Sequence, residues 1–435
     1  MKIFKDQKDV NVLFLILIVY IPLSAHLIRG LGIPGINVFT LLEIAVYIVA
    51  LKKFKSDYQS PLKNRIRLYY FMLSYSLLLA VLNGSAHLFD DIVIFKTAVS
   101  YSLLYFIYAN YFDHEKQIKL FEYAFVFVTF IVALEILRET LDFGLGSGKR
   151  AAGPFGDDEA ASNYAGLFMS WTSAFVFSLA LYAKSFFIRT IYFSVFAMGL
   201  LSVFYTYSRA SLGALALSCF FISIFRHKSL SIFIVLMVAN FSLWAPETVT
   251  KRLESTVETS SDTGEEQLEH SAKSRFEIWN RAYILMAESP QGVGFNQFKD
   301  RIDPLMPADI TARDAHNHFI LITTEGSIIS GIVLLFMLMG FFFTSLSLSR
   351  GHEMRAYGLG IAGATIVIVM VNAYNSLIYS GEVMGLYWIY AAITFKYYHI
   401  LNSKQKSRIE EPPVSDKIAT KNSGKVPLFE RDTWV

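Results

Sequence analysis

IYFSVFAMGLLSVFYTYSRASLGALALSCFFISIFRHKSLSIFIVLMVANFSLW, residues 191–244, consists of apolar runs with almost nothing between them. Its formal charges, Arg209, Arg226 and Lys228, fall at the joints of those runs. Crossing a bilayer with α-helix takes about 20 mainly apolar residues, because lipid offers no partner to a backbone N–H or C=O. The stretch therefore reads as consecutive membrane spans near 187–207, 210–225 and 229–245. Outward from it, earlier runs lie near 10–28, 36–51, 67–82, 92–111, 120–137 and 161–183. Later ones lie near 327–348, 356–378 and 383–400. The expected fold is all-α and polytopic, with about 12 transmembrane helices.

Composition agrees. Of 435 residues, 54% are hydrophobic and 17% charged, and mean hydropathy is +0.42. A soluble domain carries about 25% charged residues. Disordered, collagenous and disulfide-stapled classes are excluded, and a soluble enzyme is disfavoured. The single cysteine, Cys219, permits neither an internal disulfide nor a cysteine metal cluster. A net charge of +3 gives no basic field for nucleic acid. The first run contains Pro22 and His26 and lacks a small-x-small cleavage site, so it reads as a retained anchor.

Lysine and arginine gather in alternate loops, and their preference for the cytoplasmic side sets the orientation. With the N-terminus inside, the inside loops hold Lys52, Lys53, Lys55, Lys63 and Arg65, then Lys116 and Lys119, then Lys184 and Arg189. Arg226 with Lys228 and Arg350 with Arg355 follow, whereas the outside loop NGSAHLFDD at 83–91 has no basic residue. Residues 1–245 thus form nine spans with an outside loop at 138–160. Residues 246–316 form one large outside loop between spans nine and ten. The last three spans occupy 317–400, and 401–435 reads as a disordered cytoplasmic tail. In the large loop, TVETSSDTGEEQLEH at 256–270 is acidic and expected to be mobile. The following helix sets Phe276, Trp279 and Tyr283 on one face, expected to pack on the membrane domain.

Basic residues on the outer side are out of place under this scheme. Arg209 joins two apolar spans in YTYSRASLGALALS, where a guanidinium is costly unless it snorkels to headgroups or meets an anion. Its planar fork matches phosphate oxygens. His316, in ARDAHNHFILITTEGSIISG, stands at the outer surface as either a structural interfacial histidine or a proton acceptor. A helix turns the neighbouring His318 elsewhere, and no ligand set supports a metal there. Arg150 in GSGKRAAGPFGDDEA and Arg275 in KSRFEIW are further outside cations, either solvated or facing a second anionic group. Pro290, Gly292 and Gly294 read as a structural turn, and Asp157, Asp158 and Glu159 as an acidic loop. Walker, dinucleotide, nucleophile-elbow and zinc signatures are absent, and no cofactor is implied. Arginines and a histidine at the outer face of a lipid-embedded bundle suit an anionic substrate with a lipid part, such as a lipid diphosphate.

Taken in order, five motifs resemble those of the O-antigen ligase and Wzy polymerase superfamily of bacterial surface-polysaccharide enzymes. They are Arg150 with GPF at 153–155, SRAS at 208–211, RFEIWNRA at 275–282, SPQGVGF at 289–295 and HNHF at 316–319, covering roughly residues 150–380. The family's histidine element reads His-Asn, nine residues, then Gly. Here that spacing lands on Ser327, with Gly326 one residue early, which predicts a slightly shifted helix start. The resemblance implies an inverting, metal-independent glycosyl transfer from undecaprenyl diphosphate. It places the reaction at the periplasmic face of the inner (cytoplasmic) membrane, with both termini cytoplasmic. It assigns His316 to orient or deprotonate the acceptor, and Arg209 with Arg275 to hold the diphosphate as it leaves. Arg150 and Asn317 join the substrate-binding set. The acceptor is lipid A-core in a ligase or a second lipid-linked unit in a polymerase; both stay open, with the lean to the ligase. Membrane lipids and polysaccharide-assembly proteins are the implied partners. A transporter of lipid-linked glycan or small anion is the rival class, disfavoured because the candidates cluster at the outer face and no repeat is visible.

Overall fold

The computed structural model describes residues 10–24, 30–33, 36–52, 58–156, 160–254, 257–259, 266–268, 270–307, 310 and 314–410. The expected acidic loop at 157–159 lies outside the described residues. Each apolar run coincides with a helix. In chain order these are α1 (Val12–Leu23), α2 (Val38–Lys52), α3 (Lys63–Leu82), α4 (Leu88–Tyr111), α5 (Gln117–Phe143) and α6 (Ala161–Tyr182). Next come α7 (Phe186–Tyr205), α8 (Arg209–Ile224) and α9 (Lys228–Ala239). The large loop contributes α10 (Glu247–Glu254), α11 (His270–Glu288) and α12 (Phe298–Ile302), and α13 (His318–Gly326) follows it. The chain closes with α14 (Ile328–Leu348), α15 (Arg355–Asn372) and α16 (Gly381–Glu410).

Among the described residues 7 helices are long and apolar enough to cross a membrane: α3 to α7, α14 and α15. Three more, α1, α8 and α9, are apolar but shorter. The 12 residues of α9 rise only about 18 Å, against a hydrocarbon core of about 30 Å. The twelve runs read from sequence are therefore helical, but length qualifies fewer as full spans.

Two short antiparallel ladders depart from an all-helical chain, Gly30–Ile33 with Ile36–Asn37 and Val257–Thr259 with Glu266–Leu268. The second falls in the acidic stretch of the large loop. Its Val and Thr favour extended backbone despite the charge around them. A second correction concerns the tail, because α16 continues to Glu410. Lys404, Lys406, Arg408 and Glu410 all favour helix, Lys404 meets Glu115 at 2.9 Å, and Pro412 ends the pattern. The rest of the expected tail lies outside the described residues.

The core is built around α6, buried over nearly its whole length and packed by α5, α7, α8, α15 and α16. Lipid drives helices together only weakly, so close backbone approach and interhelical hydrogen bonds carry the association. A Cβ on Gly166 would lie 2.6 Å from Ser211 Oγ, and Ser170 Oγ donates to the Ser211 carbonyl at 3.0 Å. That seam fixes α8 against α6.

Loops sharing a side under the lysine and arginine alternation also touch one another. At one end, Asn83 donates to the Val293 carbonyl at 2.9 Å, Arg150 to Thr206 at 3.0 Å, and the His318 N–H to Asn375 at 3.0 Å. At the other, Arg226 lies over the Tyr182 ring at 5.2 Å, and Glu122 holds Lys119, Tyr192 and Tyr357.

Candidate functional site

The first group of candidates forms where α7 hands over to α8. Tyr207 turns the chain with φ 50°, Ser208 precedes the helix and Arg209 is its first residue. A helix N-terminus carries unpaired N–H groups and a partial positive charge. A guanidinium added there makes an electropositive corner matched to an anion. Arg150 braces the same corner, with Nε donating to the Thr206 carbonyl at 3.0 Å and a terminal nitrogen to Asn163 Oδ1 at 2.7 Å. The Ala151 N–H adds a bond to the Tyr205 carbonyl at 3.0 Å. A hollow lined by Phe204, Tyr207, Arg209 and Val249 opens beside it.

The second group gathers at the start of α13. Asn317 caps that helix, its Oδ1 accepting from the N–H groups of Phe319 at 2.9 Å and Ile320 at 3.1 Å. The side-chain oxygen is thereby engaged in building the helix on which the site stands. Just before it, Asp314 accepts from the His316 backbone N–H, an Asx turn that holds His316 at φ 46°. The same carboxylate oxygen lies 3.2 Å from His316 Nδ1. A hydrogen on Nδ1 shared with Asp314 leaves Nε2 as the basic nitrogen.

Burial, the largest influence, pushes the His316 pKa down; Asp314 pushes it up and Arg275 pushes it down again. The imidazole therefore stays neutral to lower pH than an ordinary histidine, and Arg275, on α11, is close enough to matter. Trp279 of the same helix donates Nε1–H to the Ala315 carbonyl at 2.8 Å, so α11 is tied to the histidine loop.

Contacts thus join the candidates into two groups, Arg150 with the Arg209 corner and Arg275 with His316. Asp314 went unnoticed from sequence, although Asp-x-His is the spacing an Asx turn requires. Glu325 and Tyr379 were missed as well. Tyr379 packs edge-on against His318 with ring centroids 4.4 Å apart, which places His318 in the interior. Burial lowers the His318 pKa to about 3. Among the described residues no group of three or more His, Cys, Asp or Glu is placed to hold a metal ion.

The helix whose start was expected to shift, α14, begins at Ile328. Ser327 itself breaks α13 from α14, with φ 81° and ψ 165°. A serine there adopts a backbone conformation that favours glycine.

The family model described as O-antigen ligase matches residues 193–339, from within α7 to within α14. The match takes in Arg209, Arg275, His316 and Asn317 and leaves Arg150 outside. No curated protein matches the chain. About a third of the chain is thus similar to the O-antigen ligase family, and the described residues around it hold 7 helices long and apolar enough to cross a membrane.

Proposed function

We propose that the protein is a membrane glycosyltransferase that moves a glycan from undecaprenyl diphosphate to an acceptor hydroxyl of lipid A-core, at the periplasmic face of the inner membrane. The observation that carries this reading is the Asp314–His316 pair with Arg275 beside it. Nε2 of His316 takes the proton of the acceptor hydroxyl as its oxygen attacks the anomeric carbon from the face opposite the diphosphate. The bond from that carbon to the diphosphate oxygen breaks, and its electron pair leaves with the phosphate. Arg209, Arg275 and the N-terminus of α8 meet the charge developing there, so the leaving group needs no proton. One displacement inverts the anomeric centre.

The test is a lipopolysaccharide gel of a strain lacking the protein, run beside its lipid-linked pool. Core without O-chain, with long lipid-linked polymer accumulating, supports ligation to lipid A-core. Core carrying a single repeat, with only short lipid-linked units, assigns the same residues to a polymerase. An unaltered gel, with capsule and exopolysaccharide unaltered too, overturns the reading.

A further inference from the structure

The C-terminal ends of α8 and α14 and the start of α15 meet at the end of the bundle that the lysine and arginine alternation assigns to the cytoplasm. Phe225, Leu346, Ser349, Arg350, Arg355 and Leu359 line a hollow there of about 350 Å³. That lies within the range of about 300–1,000 Å³ for small-molecule sites. Arg226 follows Phe225 and lies over the Tyr182 ring at 5.2 Å. Tyr182 is within electrostatic reach of both Arg226 and Arg355, so two loops bring three guanidinium groups to one place. Arg355 Nε donates to the Ser349 carbonyl at 3.2 Å, and no carboxylate lines the hollow. Among the described residues none pairs with Arg226, Arg350 or Arg355. Arg355 also opens α15, an end to which Met354 gives no side-chain cap, so unpaired N–H groups add to the positive charge. Like charges gathered without a counter-charge repel one another, and an anion between them relieves that repulsion. The rest of the wall, Phe225, Leu346 and Leu359, is apolar, and Phe225 is 44% exposed.

We propose that this hollow seats the headgroup of an anionic phospholipid of the cytoplasmic leaflet, its phosphate held by Arg226, Arg350 and Arg355 and its chains begun against Phe225, Leu346 and Leu359. Guanidinium forks match phosphate oxygens, and basic pockets between membrane helices on the cytoplasmic side are how such headgroups are recognised. A free phosphate would use the arginines and leave the apolar half of the wall in water. A zwitterionic headgroup would bring its own cation to a place that already holds three. A lipid with a net negative headgroup satisfies both halves. It also braces two helices that matter at the other face, because Arg209 opens α8 and α14 follows α13 directly. None of this depends on the chemistry at that face.

The test is native mass spectrometry of the full chain in detergent, with phosphatidylglycerol, phosphatidylcholine and inorganic phosphate as probes. Wild type is expected to retain phosphatidylglycerol in preference to phosphatidylcholine, and excess inorganic phosphate is expected not to displace it. Arg350→Gln and Arg355→Gln should each weaken retention about fivefold, and the two together with Arg226→Gln at least about thirtyfold. A charge-matched variant of the same side, Lys52→Gln with Lys63→Gln and Lys116→Gln, should keep the wild-type preference. Arg350 is exposed, so Arg350→Gln serves as the readout if the triple arginine variant fails to fold. A photoactivatable phosphatidylglycerol should cross-link wild type at Phe225 or within 346–359, a readout that needs no variant. Equal retention of the two lipids, displacement by phosphate, wild-type retention by the folded arginine variants, an equal loss in the lysine variant, or cross-links confined elsewhere overturns the site.

Discussion

His316, the proposed base, has neighbours that act on its pKa in opposite directions. Burial and Arg275 lower its pKa and Asp314 raises it, so turnover is expected to fall on the acid side, below the usual histidine range. Removing the Asp314 charge in Asp314→Asn should move that acid limb to lower pH. Removing the Arg275 charge in Arg275→Gln should move it to higher pH. A pH–rate profile of residual turnover reads both signs, and an unshifted limb in both variants refutes the assignment of His316 as the base. His316→Ala and Arg209→Ala should each lose about 10²–10³ in turnover with expression intact. Glu325 carries a different pH signature. Its folded pKa of about 8 lies above the ordinary 4.5, so the stability it contributes is complete below the ordinary value. That contribution is lost as pH rises through about 8. Glu325→Gln should flatten the fall in Tm over that window. The arginines and His316 were legible in sequence because an ionisable side chain against an apolar run is costly and needs a reason. Asp314, Glu325 and Tyr379 were not, since a carboxylate near a loop looks solvated until the chain folds over it.

At the scale of elements, the segment 289–297 explains that burial. The N–H groups of Val293 and Gly294 donate to the carbonyls of Thr324 at 3.0 Å and Glu325 at 2.9 Å. Ser76 of α3 adds a bond to the Glu325 carbonyl at 3.0 Å. The segment thereby closes the end of α13 and binds it to α3, the structural turn that Pro290, Gly292 and Gly294 foretold. Gly292 has φ 99°, and a Cβ there would lie 2.6 Å from the Glu325 carbonyl oxygen. Gly292→Ala is therefore expected to cost at least about 2 kcal/mol. Ser327→Gly, at the other side of the same junction, should gain about 1 kcal/mol by releasing a side chain from glycine-type backbone. Thermal unfolding in nanodiscs measures both, and opposite signs are required. The aromatic stripe of α11 was read less well. Phe276 and Tyr283 are 52% and 61% exposed, and the packed face is Ile278, Ala282 and Leu285. Large aromatics drew attention away from the smaller apolar set, which recurs at i, i+4 and i+7 and fixes the buried side.

The whole molecule poses a question of sides, because span count and orientation decide whether the base and the arginines face the periplasm. Helix positions were legible, since apolar length is a property of sequence alone. The number of true crossings was less so, because α8 and α9 are apolar yet short, and burial by neighbours decides how such helices sit. Even so, an odd error in the count between residues 150 and 375 would part loops that meet. Arg150 touches Thr206, Tyr207 touches Thr248, and His318 touches Asn375, all pairs that alternation assigns to one side. Arg226 touches Tyr182 on the opposite side. A single-cysteine pair tests this in cells. In a Cys219→Ala background, Ser147→Cys should react with a membrane-impermeant maleimide added to the periplasm. Gly351→Cys should react only after the inner membrane is opened. Labelling of both positions without opening would put Arg150 and the 349–355 loop on one side and refute the alternation. Labelling of Gly351→Cys alone would invert the molecule, turn the His316 site to the cytoplasm and exclude a periplasmic acceptor.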